Sequence, residues 1–150
     1  EYGRTFTALS DPFYFASDRI VEANRYFREF HQVFPNSYFV LNDRNVEDWI
    51  ISRTGHRKGD LLRRFMDFHK CDEEAVKNIW RDDHASHVGE VLAHFAGHDR
   101  FLHFRIDRDP PELLCDFLAP AFRIDRDCWT TVNVTKKRAV RQRLFRNSVA

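Results

Sequence analysis

One stretch of the chain, Ser37 to Thr54, constrains the fold more than any other. It opens with a short apolar run, Tyr38 to Leu41, rich in the aromatic and β-branched residues typical of a strand covered on both faces. Turn-forming and helix-capping residues follow the strand, which is predicted to end at Asn42, and apolar residues then return at helical spacing from Val46. The stretch therefore predicts a strand, a tight polar loop and an amphipathic helix.

Two polar side chains in this stretch are placed to hold an anion. Arg44 follows the predicted strand at its carboxyl end, where open α/β sheets bind their ligands. Ser52 lies about two helical turns further on. A guanidinium fork and a hydroxyl in these places can bind a phosphate group.

The strand, Arg44 and Ser52 resemble the 3′-phosphate-binding segment of the sulfotransferases, which take a sulfuryl group from 3′-phosphoadenosine 5′-phosphosulfate (PAPS). Two further segments resemble that family: ALSDPFYF at 8–15, and DPPELLCDFL at 109–118 after a late predicted strand. The resemblance spans Thr7 to Asn133. It implies a three-layer α/β fold of the P-loop NTPase-like type with a mostly parallel sheet. It also implies PAPS held at its 3′-phosphate by Arg44 and Ser52, and sulfuryl transfer to a hydroxyl or amine acceptor.

A loop near the start of the chain is expected to supply the catalytic base. Phe6 to Leu9 has the composition of a short strand, which leads to Asp11 in a loop closed by Pro12. In the cytosolic sulfotransferases a histidine base follows the equivalent strand, so the resemblance makes Asp11 the candidate base here. The alternative is that Asp11 is a turn or cap residue before the proline.

The loop with which sulfotransferases hold the 5′-phosphosulfate is missing from this sequence. Family members build it between their first strand and first helix, with backbone amides at a helix N-terminus. None of the five glycines begins such a loop, and no GxxxxGK[ST] motif occurs. The expected fold therefore lacks the first strand-loop-helix unit, and these 150 residues alone are expected to be inactive and to associate through an open sheet edge. The alternative function is a non-catalytic interaction domain with the same fold and a basic docking tail.

The remaining pattern predicts further helices and strands. Predicted helices cover 18–33, 61–69, 72–97 and 112–118, and a predicted strand covers 101–107. We divide the chain into a sulfotransferase-like α/β domain at 1–135 and a basic segment at 136–150, which carries six basic residues and no acidic one. This segment is either a solvated terminal helix or an arm that docks on an anion, a membrane surface or a protein.

Composition narrows the partners. The 24 basic and 23 acidic residues nearly balance, so no nucleic acid partner is expected, and no apolar run approaches the ~18 residues of a membrane span. The resemblance to sulfotransferases implies an acceptor that is a small molecule, a glycan or a lipid.

Cysteine and histidine spacing narrow the chemistry. Three cysteines without a CxxC pair favour reduced thiols and a cytoplasmic protein. Two histidine pairs have spacings that can chelate a metal, His84 with His87 and His94 with His98. Such histidines are more often helix-surface residues, so no metal cofactor is expected.

Overall fold

The structure is a computed structural model that describes residues 8–10, 13–16 and 19–125. Its strands are β1 (Phe13–Phe15), β2 (Ile20–Glu22), β3 (Phe39–Asp43) and β4 (Phe101–Arg105). Its helices are α1 (Phe27–Val33), α2 (Val46–Gly55), α3 (Asp60–His69), α4 (Glu73–His94) and α5 (Pro111–Leu118), with short 3-10 turns at Ala23–Tyr26 and His56–Gly59. The predicted α/β class is confirmed.

The described strands pair in two small sheets. β3 and β4 are parallel, with Phe39 opposite Phe101 and Asp43 opposite Arg105. A parallel pair needs a long crossover, and α2, α3 and α4 provide it. β1 and β2 form an antiparallel hairpin instead. One of the two described sheets is therefore parallel and the other antiparallel, and the larger three-layer, mostly parallel sheet stays a prediction.

The predicted strand, loop and helix around Arg44 are present. The Asn45 side chain caps α2, because its oxygen accepts hydrogen bonds from the backbone N–H groups of Glu47 (3.0 Å) and Asp48 (3.2 Å). β3 continues one residue past the predicted end, to Asp43. The prediction that both faces of this strand are covered is wrong in the described structure: burial alternates along β3, and Val40 is 38% exposed.

The predictions for the start of the chain need correction. The helix expected from residue 18 begins only at Phe27, and Ile20 lies in β2 opposite Phe15. The reason is tertiary, since both residues pack against the buried cluster of α2, α3 and α4. The strand expected at 6–9 lies partly outside the described residues, and its described members, Ala8 and Leu9, form no strand. The later helices and β4 match their predictions to within a few residues.

Two buried clusters form the core, and α4 joins them. The first lies between α2, α3 and α4 and contains Ile50, Leu62, Phe65, Val76 and Trp80. The second contains Phe27, Val91 and Phe95, packed on Phe39, Leu41 and Phe101 of the parallel strands. α4 therefore anchors the parallel pair at one end and the α2–α3 pair at the other.

The turn between α2 and α3 has an unusual backbone. Three successive residues have positive φ angles: Arg57 (48°), Lys58 (60°) and Gly59 (84°). The left-handed region costs an L-residue roughly 1–2 kcal/mol, and only glycine avoids that cost. The turn lets α3 fold back so that Leu62 reaches the same cluster as Ile50.

Candidate functional site

A cleft of about 530 Å³ lies at the carboxyl ends of β3 and β4. The loop after β3, the middle of α4 and the loop after β4 form its walls. Four arginines line it, namely Arg44, Arg81, Arg105 and Arg108. The cleft lies at the edge of a parallel strand pair where α/β proteins bind ligands, and its lining sets these four arginines against three aspartates, Asp43, Asp82 and Asp107.

Two of the four arginines are already paired. Arg81 makes a two-pronged contact with Glu47, at 2.8 Å from Nε and 3.1 Å from Nη2. This contact raises the pKa of Arg81 and lowers the pKa of Glu47. Arg105 binds Asp109 in the same way, at 3.1 Å from Nε and 2.7 Å from Nη2. These pairs fix α4 and the β4–α5 loop as the walls of the cleft.

Arg44 differs from both, because its guanidinium has an unused donor. Its Nε is buried, and within the described part of the chain it has no hydrogen-bond partner. Its backbone N–H is occupied, since it donates to Oδ1 of Asp43 at 2.7 Å. Leaving a buried donor unsatisfied costs about 1–3 kcal/mol, so Arg44 is a donor that lacks an acceptor.

The backbone around the cleft offers few further donors. The side-chain oxygen of Asn45 accepts hydrogen bonds from the first free backbone N–H groups of α2. The backbone N–H of Asn45 donates to Oδ2 of Asp107 at 2.9 Å. The N-terminus of α2 still contributes its partial positive charge. The guanidinium of Arg44 is therefore the principal donor for an anion here.

Ser52, the predicted partner of Arg44, is not among the residues that line the cleft. It is a half-buried residue of α2, six positions after Val46, which does line the cleft. Six helical residues correspond to about 9 Å along the axis and about 120° around it. Joint binding of one phosphate by Arg44 and Ser52 stays a prediction. The candidate base, Asp11, and the basic segment at 136–150 lie outside the described residues.

The cleft contains a carboxylate that sequence reasoning missed. Asp43 accepts a hydrogen bond at each oxygen, from Nε2 of His84 to Oδ1 and from Nε2 of His103 to Oδ2, both at 2.9 Å. Burial acts to raise the pKa of Asp43, but the hydrogen bonds from His103, from the backbone N–H of Arg44 and from His84 together hold it below its usual value. Asp43 is therefore an ionised carboxylate shared by two imidazoles.

The sequence signal for this trio was weak. In the sequence Asp43 looks like a turn residue after the strand. The spacing of His84 and His87 indicates at most a pair of metal ligands. The two histidines are 41 and 60 residues from Asp43 along the chain. Only the strand register, which places His103 opposite Leu41 and Arg105 opposite Asp43, shows that His103 shares a sheet face with Asp43.

The described residues contain no group of three or more histidine, cysteine or acidic side chains placed to hold a metal ion. In the same part of the chain no helix is long and apolar enough to cross a membrane. Comparison with known proteins finds no family model, no curated protein and no solved structure that matches the chain. Function is therefore inferred from the chemistry of the cleft.

Proposed function

We propose that this domain binds the 3′-phosphate of PAPS through Arg44 and belongs to a sulfotransferase that transfers the sulfuryl group to a hydroxyl or amine acceptor. One observation carries the proposal, the position of Arg44 in the lining of the cleft at the carboxyl edge of the parallel strands. The two Nη groups of a guanidinium form a fork that matches two oxygens of a phosphate. The cleft volume also falls within the ~300–1,000 Å³ typical of small-molecule sites.

The residues fit only part of the PAPS molecule. Arg44 and the positive end of α2 suit the 3′-phosphate, and Arg108, another residue that lines the cleft, adds positive charge. The described residues include no glycine-rich phosphate loop for the 5′-phosphosulfate. Bound PAPS would supply the activated sulfuryl group, while these residues bind the phosphate and neutralise its charge.

Calorimetric titration tests the proposal. Adenosine 3′,5′-bisphosphate should bind more tightly than 5′-AMP, because only the former carries the 3′-phosphate. A charge-assisted contact is worth about 1.5–3 kcal/mol, so Arg44→Ala should weaken binding of the bisphosphate by roughly 10- to 150-fold. The same change should leave binding of 5′-AMP within a few-fold of wild type.

Arg63→Ala is the matched control, because Arg63 on α3 is 64% exposed and binds Asp60 away from the cleft. This variant should bind the bisphosphate like the wild-type chain. Ser52→Ala, tested in parallel, should weaken binding if Ser52 reaches the same phosphate. Equal affinity for the two nucleotides would disprove the proposal. Failure to bind either nucleotide would favour the non-catalytic interaction domain instead, because selective binding without sulfuryl transfer is already the expected result for these 150 residues.

A further inference from the structure

We infer that acid releases α1 from α4, and that the hydrogen-bonded pair of His31 and His94 is the contact that acid breaks. Nδ1 of His31 lies 2.9 Å from Nε2 of His94. His31 belongs to α1, and His94 is the last residue of α4. His31 is half-buried and His94 is exposed, so protons from solvent reach the pair. The inference describes a conformational switch and does not depend on the proposed function.

The number of protons on the pair decides whether the contact can form. A hydrogen bond between two imidazoles needs one donor and one acceptor. The neutral pair meets this condition, and so does a pair that holds one added proton. A second added proton puts a hydrogen on both contacting nitrogens and a positive charge on both rings, so the bond is lost and the rings repel each other. Full protonation is therefore incompatible with the contact between the two helices.

The surroundings of His94 oppose the second proton. Burial lowers the pKa of His94 below its usual 6.5, and three nearby bases lower it further. They are His31 and Arg28 from α1 and His98 from the loop after α4. The carboxylate of Glu90, one turn earlier on α4, is already bound to Arg28 at 2.9 Å. The charges that act on His94 in the described part of the chain are thus all basic.

One buried aromatic ring holds the histidines together. The ring centre of Phe95, which is 2% exposed, lies 4.9 Å from that of His31, 4.7 Å from that of His94 and 5.7 Å from that of His98. His31 and His98 are themselves 4.8 Å apart. On the strand side, the uncharged ring of Phe39 packs against His31 at 5.4 Å. A ring that moves away from its neighbours gives up its contact with Phe95, so repulsion weakens the packing of α1 on α4.

The other contacts of α1 differ in their dependence on pH. Phe27 packs against the ring of His94 at 5.4 Å and does not titrate. The hydrogen bond from Arg28 holds the pKa of Glu90 below its usual 4.5, so this ion pair persists at about pH 5. His87 on α4 also packs against Phe27, at 5.8 Å, and adds positive charge to the same interface when it is protonated. Release of α1 between about pH 7 and pH 5 would therefore come from the histidines.

Amide hydrogen exchange tests the inference without any need for turnover. Protection factors, which correct for the pH dependence of intrinsic exchange, are measured along the whole chain at about pH 7 and about pH 5. Those of α1 should fall by roughly tenfold or more at the lower pH, while those of α3, which packs in the other buried cluster, should stay within about twofold. An equal fall in both helices, or unchanged protection of α1, would overturn the inference.

Two variants separate the histidine pair from a general effect of acid. His94→Gln keeps a hydrogen-bonding side chain next to His31 and cannot be protonated, so the fall in protection of α1 should shrink to less than about threefold. His56→Gln is the matched control, because His56 is exposed in the turn between α2 and α3. This variant should keep the full fall. A fall in His94→Gln as large as in the wild-type chain would refute the role of the pair.

NMR titration of the histidine rings provides an independent test. The ring of His94 should titrate below the usual 6.5 in the wild-type chain. His31→Gln removes a neighbouring base, so the midpoint for His94 should rise, whereas His56→Gln should leave it unchanged. A midpoint for His94 that His31→Gln does not move would contradict the coupling between the two rings and overturn the inference.

Discussion

Mutation of Arg53 in α2 tests how the β1–β2 hairpin is attached to the helices. Its Nη2 donates to Oε1 of Glu22 in β2 at 2.7 Å, and both side chains are only 16% exposed. Its guanidinium carbon lies 4.7 Å from the ring centre of Trp49, 4.8 Å from that of Trp80 and 5.2 Å from that of Phe65. Arg53→Met keeps an unbranched apolar stem but ends two bonds short of the terminal guanidinium nitrogens, so it removes the ion pair and the cation–π contacts.

The expected loss of stability follows from the burial of the Arg53–Glu22 ion pair. Breaking a buried ion pair by removing one partner costs about 3–5 kcal/mol, and each cation–π contact adds about 0.5–1 kcal/mol when it is partly exposed. Glu22 has a second, weaker contact with Arg25 at 3.6 Å, which offsets part of the loss. Because both side chains keep 16% exposure, solvent screening reduces each of these terms, and we expect Arg53→Met to lower the free energy of unfolding by about 3 kcal/mol, the lower end of the buried ion-pair range.

Urea unfolding followed by circular dichroism measures this loss. Arg63→Met is the matched control: Arg63 is 64% exposed and its contact with Asp60 spans three residues of one helix, so the expected loss is below about 0.5 kcal/mol. Glu22→Gln, alone and combined with Arg53→Met, completes a double-mutant cycle with an expected coupling of about 1–3 kcal/mol. A loss in Arg53→Met no larger than in Arg63→Met would refute the reasoning.

Three further predictions concern the cap of α2, the buried side chain of Trp80 and the pKa of His87. Asn45→Ala removes the cap of α2 and should cost about 1 kcal/mol in urea unfolding, while Gln32→Ala at an exposed position of α1 serves as a control. Trp80→Ala should cost about 3–5 kcal/mol, because this side chain is 1% exposed; a loss under about 1 kcal/mol would contradict the described core. Burial, and then the charge of Arg25, lower the pKa of His87 below its usual 6.5, so the unfolded chain binds more protons in acid. The contribution of neutral His87 to stability is thus fully present above pH 6.5 and is lost as the pH falls through the lowered pKa. His87→Gln should therefore reduce the fall in the free energy of unfolding with decreasing pH. Urea unfolding at a series of pH values measures this fall.

Local sequence information predicts the elements that carry their own signals. α4 begins where an aspartate followed by two glutamates indicates a start, and the Asp72 side chain accepts from the backbone N–H of Ala75 at 2.9 Å. β3 and α2 are equally well marked, by an aromatic and β-branched run and by the cap at Asn45. These signals lie within a few residues of the element that they specify, and they place Arg44 at the cleft.

Distant contacts decide what the sequence could not show. Ile20 continues the helical spacing of α1, yet it forms a strand because the hairpin lets it pack against a cluster built from residues far along the chain. The Asp43 site depends on the same kind of information. Its three side chains come from β3, α4 and β4, so their meeting requires the crossover and the register of the parallel pair. The sequence pattern alone predicts neither the path of the crossover nor the register of the two strands.

The turn between α2 and α3 is a suitable place for mutations that raise the stability of the domain. Arg57 and Lys58 occupy a backbone region that glycine or asparagine adopts with less steric conflict. Neither residue lines the cleft, so substitution there leaves the binding residues untouched. Replacing Arg57 or Lys58 with glycine or asparagine is therefore expected to stabilise the domain, and this gain can offset the cost of destabilising mutations made in the cleft.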